Sequence, residues 1–239
     1  MIANPNINCD LGEGNPRDED FMKLISSCNI ACGGHFGNEK TIRTTIQLAK
    51  KYKVRIGAHP SYPDQENFGR VSLNIEKVDL VRSIKEQVKL LQNICEEENA
   101  ILNHVKLHGA LYNDVWENPN LSSTVIEALK ELKTDFRVYA PYNSVFANLA
   151  SKHFEIVHEG FIDRKYTDQG RLASRKEEGA VLTSNQECWK QFHALVTDGN
   201  CISIAGNEIN IKADTYCIHS DSEGALKNLK FIYKCLQDA

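Results

Sequence analysis

Short apolar segments alternate along this chain with longer segments in which apolar residues recur every three or four positions. Seven of the short segments have the length and composition of buried β-strands, at residues 7–10, 28–32, 54–58, 101–106, 137–140, 155–158 and 216–219. A further strand could lie at 201–205. Strands that alternate with helices predict a parallel sheet covered by helices.

The longer segments have the period of an amphipathic helix. In one of them Val81, Ile84, Val88 and Leu91 step by three and four, which places their side chains on one helix face. About seven strand–helix units predict a single-domain, closed or nearly closed β/α barrel over residues 1–239, and an open doubly wound sheet is the alternative. Residues that favour helix starts precede several of these segments: Asn38, Asn74, the pair Ser184 and Glu187, and the pair Ser220 and Glu223.

One stretch departs from this alternation. Residues 163–180 have weak periodicity, many charges and two glycines, Gly170 and Gly179. They are predicted to form a long loop, and loops of this length in a compact domain often carry function.

Composition narrows the class of protein. The chain has 239 residues and a formal net charge of −4, with 41% hydrophobic and 25% charged residues, which is typical of a folded globular protein. Apolar residues never run beyond three in a row, so no transmembrane helix is expected. The first residues lack the features of a signal peptide. Nucleic acids and anionic membranes bind basic surfaces, and a mildly acidic chain gives no sign of one, so neither partner is expected.

Eight cysteines are spread through the chain. An even count suggests disulfides only in a short secreted protein, so we expect free thiols and a reducing, cytoplasmic location. Cys28, Cys32 and His35 have a faintly zinc-like spacing. Buried core cysteines are the favoured interpretation of the first two.

Side chains capable of chemistry follow most of the predicted strands. In β/α barrels the active site lies beyond the carboxyl ends of the strands, so these groups are expected to converge on one rim. Each of them alone could be a turn residue, a helix cap or a surface ion pair. His104 and His108 each lie two residues from Lys106 and would share its face. In chain order the candidates are Asp10, Glu13, Asn29, His35, His59, Lys106, His108, Glu159, Asp163, Arg164, His219 and Asp221.

Several well-known motifs are missing from the sequence. It has no GxxxxGK[ST] phosphate loop, no GxSxG nucleophile elbow and no HExxH pair, which disfavours a serine hydrolase and a metzincin-type protease. Gly33, Gly34 and Gly37 precede a predicted helix start at Glu39. Backbone N–H groups there could hold an anion, although the signal is weak.

Four long motifs resemble those of the LamB/YcsF family. They are NCDLGE at 8–13, SSCNIACGGH at 26–35, GAHPSYPD at 57–64 followed by FGR at 68–70, and HVKLHGALYN at 104–113. DRKY at 163–166, Gly170, Leu172 and Arg175 follow in the family's order. The resemblance extends from Asn8 to about Asp221. This chain differs in having Leu107 for a usual proline, Ile162 for alanine, and Ser220 for the glycine of a His-Gly-Asp triplet.

The resemblance implies a glycoside hydrolase/deacetylase-like barrel. It also implies ATP-dependent opening of the lactam 5-oxo-L-proline to L-glutamate, with Mg²⁺ accompanying ATP and with two further subunits, B and C. A lactam is a poor electrophile, and ATP can activate it by phosphorylating the carbonyl oxygen before water attacks.

Roles for the candidate residues follow as hypotheses from this reaction. Asp10 or Glu13 would be the general base, and His59 or His108 the general acid. Lys106 would stabilise oxyanion or phosphate charge. One of three arginines would bind the substrate carboxylate: Arg70, Arg164 or Arg175. The other candidates would also contact the substrate: Asn29, His35, Glu159 and Asp163.

Two other functions remain open on the sequence alone. In a metal-dependent deacetylase, Asp10, His59 and His108 would hold a divalent ion. In a non-catalytic subunit, the same rim would only bind the lactam for a partner.

Overall fold

A computed structural model describes residues 5–132, 134–222 and 224–238. Seven parallel strands form a closed barrel in which β9 pairs with both β6 and β1. This confirms the predicted barrel, and the alternative of an open doubly wound sheet is wrong. The barrel strands are β1 (Ile7–Leu11), β2 (Ser27–Ala31), β3 (Arg55–His59), β4 (Leu102–Lys106), β5 (Arg137–Pro141), β6 (Ile156–Phe161) and β9 (Thr215–His219).

Helices surround the barrel, and a small hairpin lies outside it. The hairpin pairs β7 (Asn200–Ile202) with β8 (Glu208–Asn210), so the segment predicted at 201–205 contributes to a strand that is not part of the barrel. The helices of the described residues are α1 (Asp18–Met22), α2 (Glu39–Tyr52), α3 (Lys77–Glu97), α4 (Gly109–Asp114), α5 (Pro119–Lys130), α6 (Val145–Ala150), α7 (Asn185–Thr197) and α8 (Ala225–Asp238). None of these described helices has the length and apolar character needed to cross a membrane.

The predicted helix starts have mixed outcomes. Asn38 caps α2 by accepting a hydrogen bond from Thr41 N, as expected. The start at Asn74 is wrong, because Glu76 is the N-cap of α3. Ser184 occupies the N-cap position of α7 but makes no capping bond with its side chain. Ser220 lies well before α8 and donates its hydroxyl to the Asp10 carbonyl, while Glu223 lies outside the described residues.

The barrel interior is polar because the strands direct their apolar residues outward. In β1, Ile7, Cys9 and Leu11 join the hydrophobic core, whereas Asn8 and Asp10 bond to side chains of other barrel strands. Gly57 of β3 leaves space for a large interior group, since a Cβ there would lie 2.1 Å from His104 Nε2. The fold thus encloses a column of hydrogen-bonding side chains beneath its carboxyl rim.

The cysteines and the long loop agree with their predicted roles. All eight cysteines are free thiols. Cys28 and Cys32 are fully buried in the core, and burial raises the pKa of Cys32 to about 12. Residues 163–180 contain no helix or barrel strand, and isolated bridges such as Tyr166 to Leu172 hold this long loop in place.

Candidate active site

The carboxyl ends of the strands enclose a cavity of about 430 Å³, called here the site cavity. Most of the candidate residues meet there, because parallel strands of a barrel deliver their carboxyl ends to one rim. Four candidates do not line it: Asn29, His35 and Asp163 are buried behind it, and Glu159 lines an adjoining cleft. The candidates that line the site cavity are Asp10, Glu13, His59, Arg70, Lys106, His108, Arg164, Arg175, His219 and Asp221.

Lys106 forms a buried ionic cluster at the floor of the site cavity. Its Nζ lies 2.9 Å from Asp10 Oδ1 and 2.9 Å from Glu159 Oε1, and the side chain is 3% exposed. Burial disfavours its charge, but Asp10, Cys217 and Glu159 raise the pKa of Lys106 well above its usual value. Burial likewise opposes ionisation of Asp10, yet His59 and Lys106 bring its pKa well below the usual value. Lys106 and Asp10 are therefore a charged pair.

A relay of side chains inside the barrel positions Asp10. Asn29 lies level with Asp10 on the neighbouring strand and donates to Asp10 Oδ1 over 2.7 Å. His104 Nε2 lies 2.7 Å from Asn29 Oδ1 and its ring stacks on Tyr139. Because its amide contacts only other protein groups, Asn29 supports Asp10 and does not reach the cavity as a substrate contact. The sequence marks His104 only as a neighbour of Lys106, and no sequence signal shows its bond to Asn29.

His59 and His108 form a close pair beside Asp10. His59 Nδ1 lies 2.9 Å from the Lys106 carbonyl, and His108 Nε2 lies 2.9 Å from the Phe68 carbonyl, so each of these nitrogens must donate. The two remaining nitrogens, His59 Nε2 and His108 Nδ1, face each other at 2.9 Å. Two neutral rings would present two lone pairs there. The contact therefore requires either one extra proton or a bound cation.

Glu13 lies at the edge of this pair. Its Oε1 is 2.9 Å from His35 Nε2 and 3.5 Å from His108 Nδ1. Burial, with the charge of Asp10, raises the pKa of Glu13 to about 7. His35 stacks on His108 with ring centroids 3.6 Å apart, and burial lowers its pKa to about 4. His35 is thus a neutral partner of Glu13, and it holds that carboxylate from behind the cavity wall.

Three arginines also line the site cavity: Arg70, Arg164 and Arg175. Arg164 is buried and donates to the Ala173 carbonyl over 2.6 Å, and none of the described carboxylates lies within 4.0 Å of its nitrogens. Burial and the neighbouring Arg175 lower its pKa to about 10, so it remains charged at neutral pH. Arg70 is paired with Asp221, and Arg175 lies 3.9 Å from the same carboxylate. Arg164 is therefore the buried cation that most needs an anionic ligand.

The ends of β6 and β9 hold each other in place. Asp163 accepts from His219 N and lies 3.0 Å from His219 Nδ1, which keeps its carboxylate away from the cavity. Ser220, which replaces the family's usual glycine, donates to the Asp10 carbonyl over 2.9 Å. Its backbone is not left-handed, so no glycine is required at this position.

A divalent ion would find suitable ligands in this site. Asp10, His59 and His108 each offer a ligand atom, and these atoms lie within 4.8 Å of one another. The facing lone pairs of the two histidines, with a carboxylate beside them, fit the donor set of a catalytic zinc or similar ion.

The fold and the site define a β/α-barrel protein with an ionisable cluster and a cationic wall at the carboxyl rim. The chain matches the sequence model of the LamB/YcsF family over residues 5–239, and it belongs to that family.

Relatives support this assignment over nearly the whole chain. A protein from Haemophilus influenzae, named as the A subunit of 5-oxoprolinase, is 34% identical over 97% of this chain and 95% of its own length. One of the same name from Pyrococcus horikoshii is 36% identical over 97% and 93%. The crystal structure of a lactam utilization protein from Thermus thermophilus has a TM-score of 0.91 and 28% identity, covering 99% of this chain and 97% of that one.

Proposed function

We propose that this chain opens the cyclic amide 5-oxo-L-proline to L-glutamate in an ATP-dependent reaction, together with partner subunits B and C. The names of the relatives support the substrate class. The observation that carries the proposal is the placement of two features in one small cavity. An acid–base cluster of Glu13, His59 and His108 and the buried guanidinium of Arg164 line the same cavity. A lactam with one carboxylate needs both features.

The two carboxylates are proposed to have different roles. Asp10 is ionised and engaged by Lys106 and Asn29, so it is suited to orienting its neighbours and stabilising their charge. Glu13, with a pKa of about 7, is poised near neutral pH, where a general base works best. We therefore assign Glu13 as the base that deprotonates the attacking water.

The paired histidines supply the opposite proton transfer. One extra proton between His59 Nε2 and His108 Nδ1 can pass to the ring nitrogen of the lactam as the C–N bond breaks. The attacking water adds to the phosphorylated carbonyl carbon, and cleavage of the C–N bond gives the acyl phosphate of glutamate. A second water then adds to the same carbon, and phosphate leaves with the former carbonyl oxygen, so both oxygens of the new carboxylate come from water. Lys106 stabilises the negative charge that develops at that carbon's oxygen atoms.

Phosphoryl transfer is expected to depend on the partner subunits. It requires several groups that position phosphates and Mg²⁺ together, and the sequence has neither a phosphate loop nor a kinase-like glycine-rich loop. The chain alone should release little ADP in the presence of 5-oxoproline, and addition of subunits B and C should restore ADP and glutamate formation. ADP release by this chain alone, proportional to glutamate, would contradict this dependence.

Arg164→Gln should raise KM for 5-oxoproline and leave kcat largely unchanged. A charge-assisted hydrogen bond contributes about 1.5–3 kcal/mol, which corresponds to an increase of roughly tenfold or more. Glutamine is shorter and gives up the bond to the Ala173 carbonyl, so a thermal melt of the variant checks that the fold is retained. Arg137→Gln, which changes a surface pair with Glu155, is the matched control and should behave as wild type. A fall in kcat at constant KM would remove Arg164 from carboxylate binding.

Metal-dependent deacetylation is the second candidate function. It is favoured by the two histidine lone pairs that converge beside Asp10. A bound divalent ion would lower the pKa of a coordinated water and so supply a nucleophile without ATP. Metal analysis of protein purified without added metal separates the two functions. Stoichiometric zinc, together with ATP-independent release of acetate from an acetylated sugar that chelation abolishes, would favour the deacetylase.

A further inference from the structure

A second cleft opens directly beside the site cavity. It has a volume of about 930 Å³ and is called here the aromatic cleft. The two spaces share Tyr112, Phe161 and Leu172, so one ligand can occupy both. The site cavity alone is within the range of small-molecule sites, and a lactam of nine heavy atoms leaves the cleft unused. Its aromatic lining consists of Tyr62, Tyr112, Trp116, Tyr142, Phe161 and Tyr166.

The two spaces differ in charge. The site cavity is lined by more cations than anions, including Arg70, Arg164, Arg175 and Lys176, which exceeds what one carboxylate requires. In the aromatic cleft the balance is reversed. Arg171, its one cation among the described residues, contacts Glu117, and Asp114 and Glu159 also line the cleft. A ligand that spans both must be anionic at one end and rich in hydrogen-bond donors at the other.

The polar groups of the aromatic cleft lie at two depths. Glu159 is buried in its wall and paired with Lys106 at 2.9 Å, and burial together with the charge of Glu159 raises the pKa of the Tyr112 hydroxyl. The rings of Trp116 and Tyr142 are half-buried and make no side-chain hydrogen bond within the described residues. The cleft therefore offers flat aromatic faces together with carboxylates in its lining.

We propose that the aromatic cleft binds the nucleoside of a nucleoside triphosphate, adenosine in the ATP-dependent reaction, with the phosphates in the cationic site cavity. The inference rests on the proposed function and places the nucleotide on this chain. The base stacks on Trp116 or Tyr142, since aromatic rings hold any base by its face. Carboxylates that line the cleft accept hydrogen bonds from the exocyclic amine or the ribose hydroxyls. Hydrolysis still requires the partner subunits, because binding does not by itself align the phosphates for transfer.

Tryptophan fluorescence provides a direct binding test. The chain has two tryptophans, and Trp189 lies on α7, so Trp189→Phe leaves Trp116 as the reporter. The probes are a non-hydrolysable ATP analogue with Mg²⁺, and Mg²⁺ tripolyphosphate, which has the phosphates without the nucleoside. The analogue should quench Trp116 with saturation, whereas tripolyphosphate should bind by calorimetry without this quenching.

Variants of Trp116 identify the nucleoside contact. In calorimetry, Trp116→Ala should weaken binding of the analogue by at least about fivefold, the lower end for loss of one base–aromatic stack, and leave tripolyphosphate binding unchanged. Trp116→Phe, which keeps an aromatic face, should restore most of the affinity. Equal loss for both probes would mean a folding defect or a phosphate contact and would overturn the assignment, as would an unchanged affinity for the analogue.

Assays of the reconstituted complex separate failure of this inference from failure of the proposed function. If the wild-type complex forms glutamate and the Trp116→Ala complex keeps its KM for ATP, the nucleotide lies elsewhere and only the inference fails. If the nucleotide quenches Trp116 but the wild-type complex forms no glutamate, the cleft assignment stands and the proposed lactam substrate is wrong.

Discussion

Asp10→Asn should lower kcat of the complex at least about 10²-fold, the lower end for loss of a group that supports acid–base chemistry. The change removes the negative charge that faces His59 and Lys106 but preserves shape. The amide oxygen of the new side chain can still accept from Asn29 and Lys106, and Lys106 keeps Glu159 as a counter-ion. The barrel should therefore fold, and KM for 5-oxoproline should change little.

A matched control exists at the other end of the barrel. Asp214 precedes β9 and accepts a hydrogen bond from His158 N, so Asp214→Asn makes the same chemical change far from the cavity. Its kcat should equal that of wild type. A folded Asp10→Asn complex with near-normal kcat would remove Asp10 from the mechanism. An effect confined to KM would instead favour the non-catalytic function, in which this chain only binds the lactam.

Glu13→Gln should lower kcat by about 10²–10⁴-fold, the usual contribution of a general base. It should also change the pH dependence. In the wild type, kcat/KM should rise with pH through about 7, because the raised pKa of Glu13 keeps it protonated and inactive as a base below that value. The variant should lose this ionisation and give a flat profile over the same range.

Glu131→Gln is the control for this substitution, since Glu131 forms a surface pair with Lys85. Its pH profile should match that of the wild type. If Glu13→Gln retains the rise near pH 7, another group is the base. If kcat/KM of the wild type instead falls with pH through about 7, Glu13 does not act in the ionised form.

Sequence reasoning predicted the architecture well because strand and helix periods differ and parallel strands deliver their ends to one rim. It identified Asp10, Lys106 and His108 as neighbours before any geometry was known. The sequence does not show whether a polar strand residue reaches the cavity or lies deeper inside the barrel. Asn29 follows the same pattern of a polar residue on a strand, yet its amide is engaged by side chains inside the barrel.

The histidine protonation states were also beyond the sequence. They depend on the carbonyls of Lys106 and Phe68, which only the folded chain brings to His59 and His108. The sequence likewise does not show which charged side chains are buried as ion pairs. From the sequence Lys106 is one of the candidates expected on the rim, but the fold buries it between two carboxylates. Removing it would leave those charges uncompensated at a cost of about 3–5 kcal/mol, so conservative changes of Asp10 are the sharper test.

The central claim, that ATP activates the lactam carbonyl for opening in this site, is tested most directly by following one oxygen atom. The complex is supplied with ATP and 5-oxo-L-proline that carries ¹⁸O in its ring carbonyl, and the phosphate and glutamate are analysed by mass spectrometry. The account predicts ¹⁸O in the released phosphate, one labelled phosphate for each glutamate formed, and loss of both products with Asp10→Asn. Glutamate formed without ATP, or unlabelled phosphate beside labelled glutamate, would contradict it.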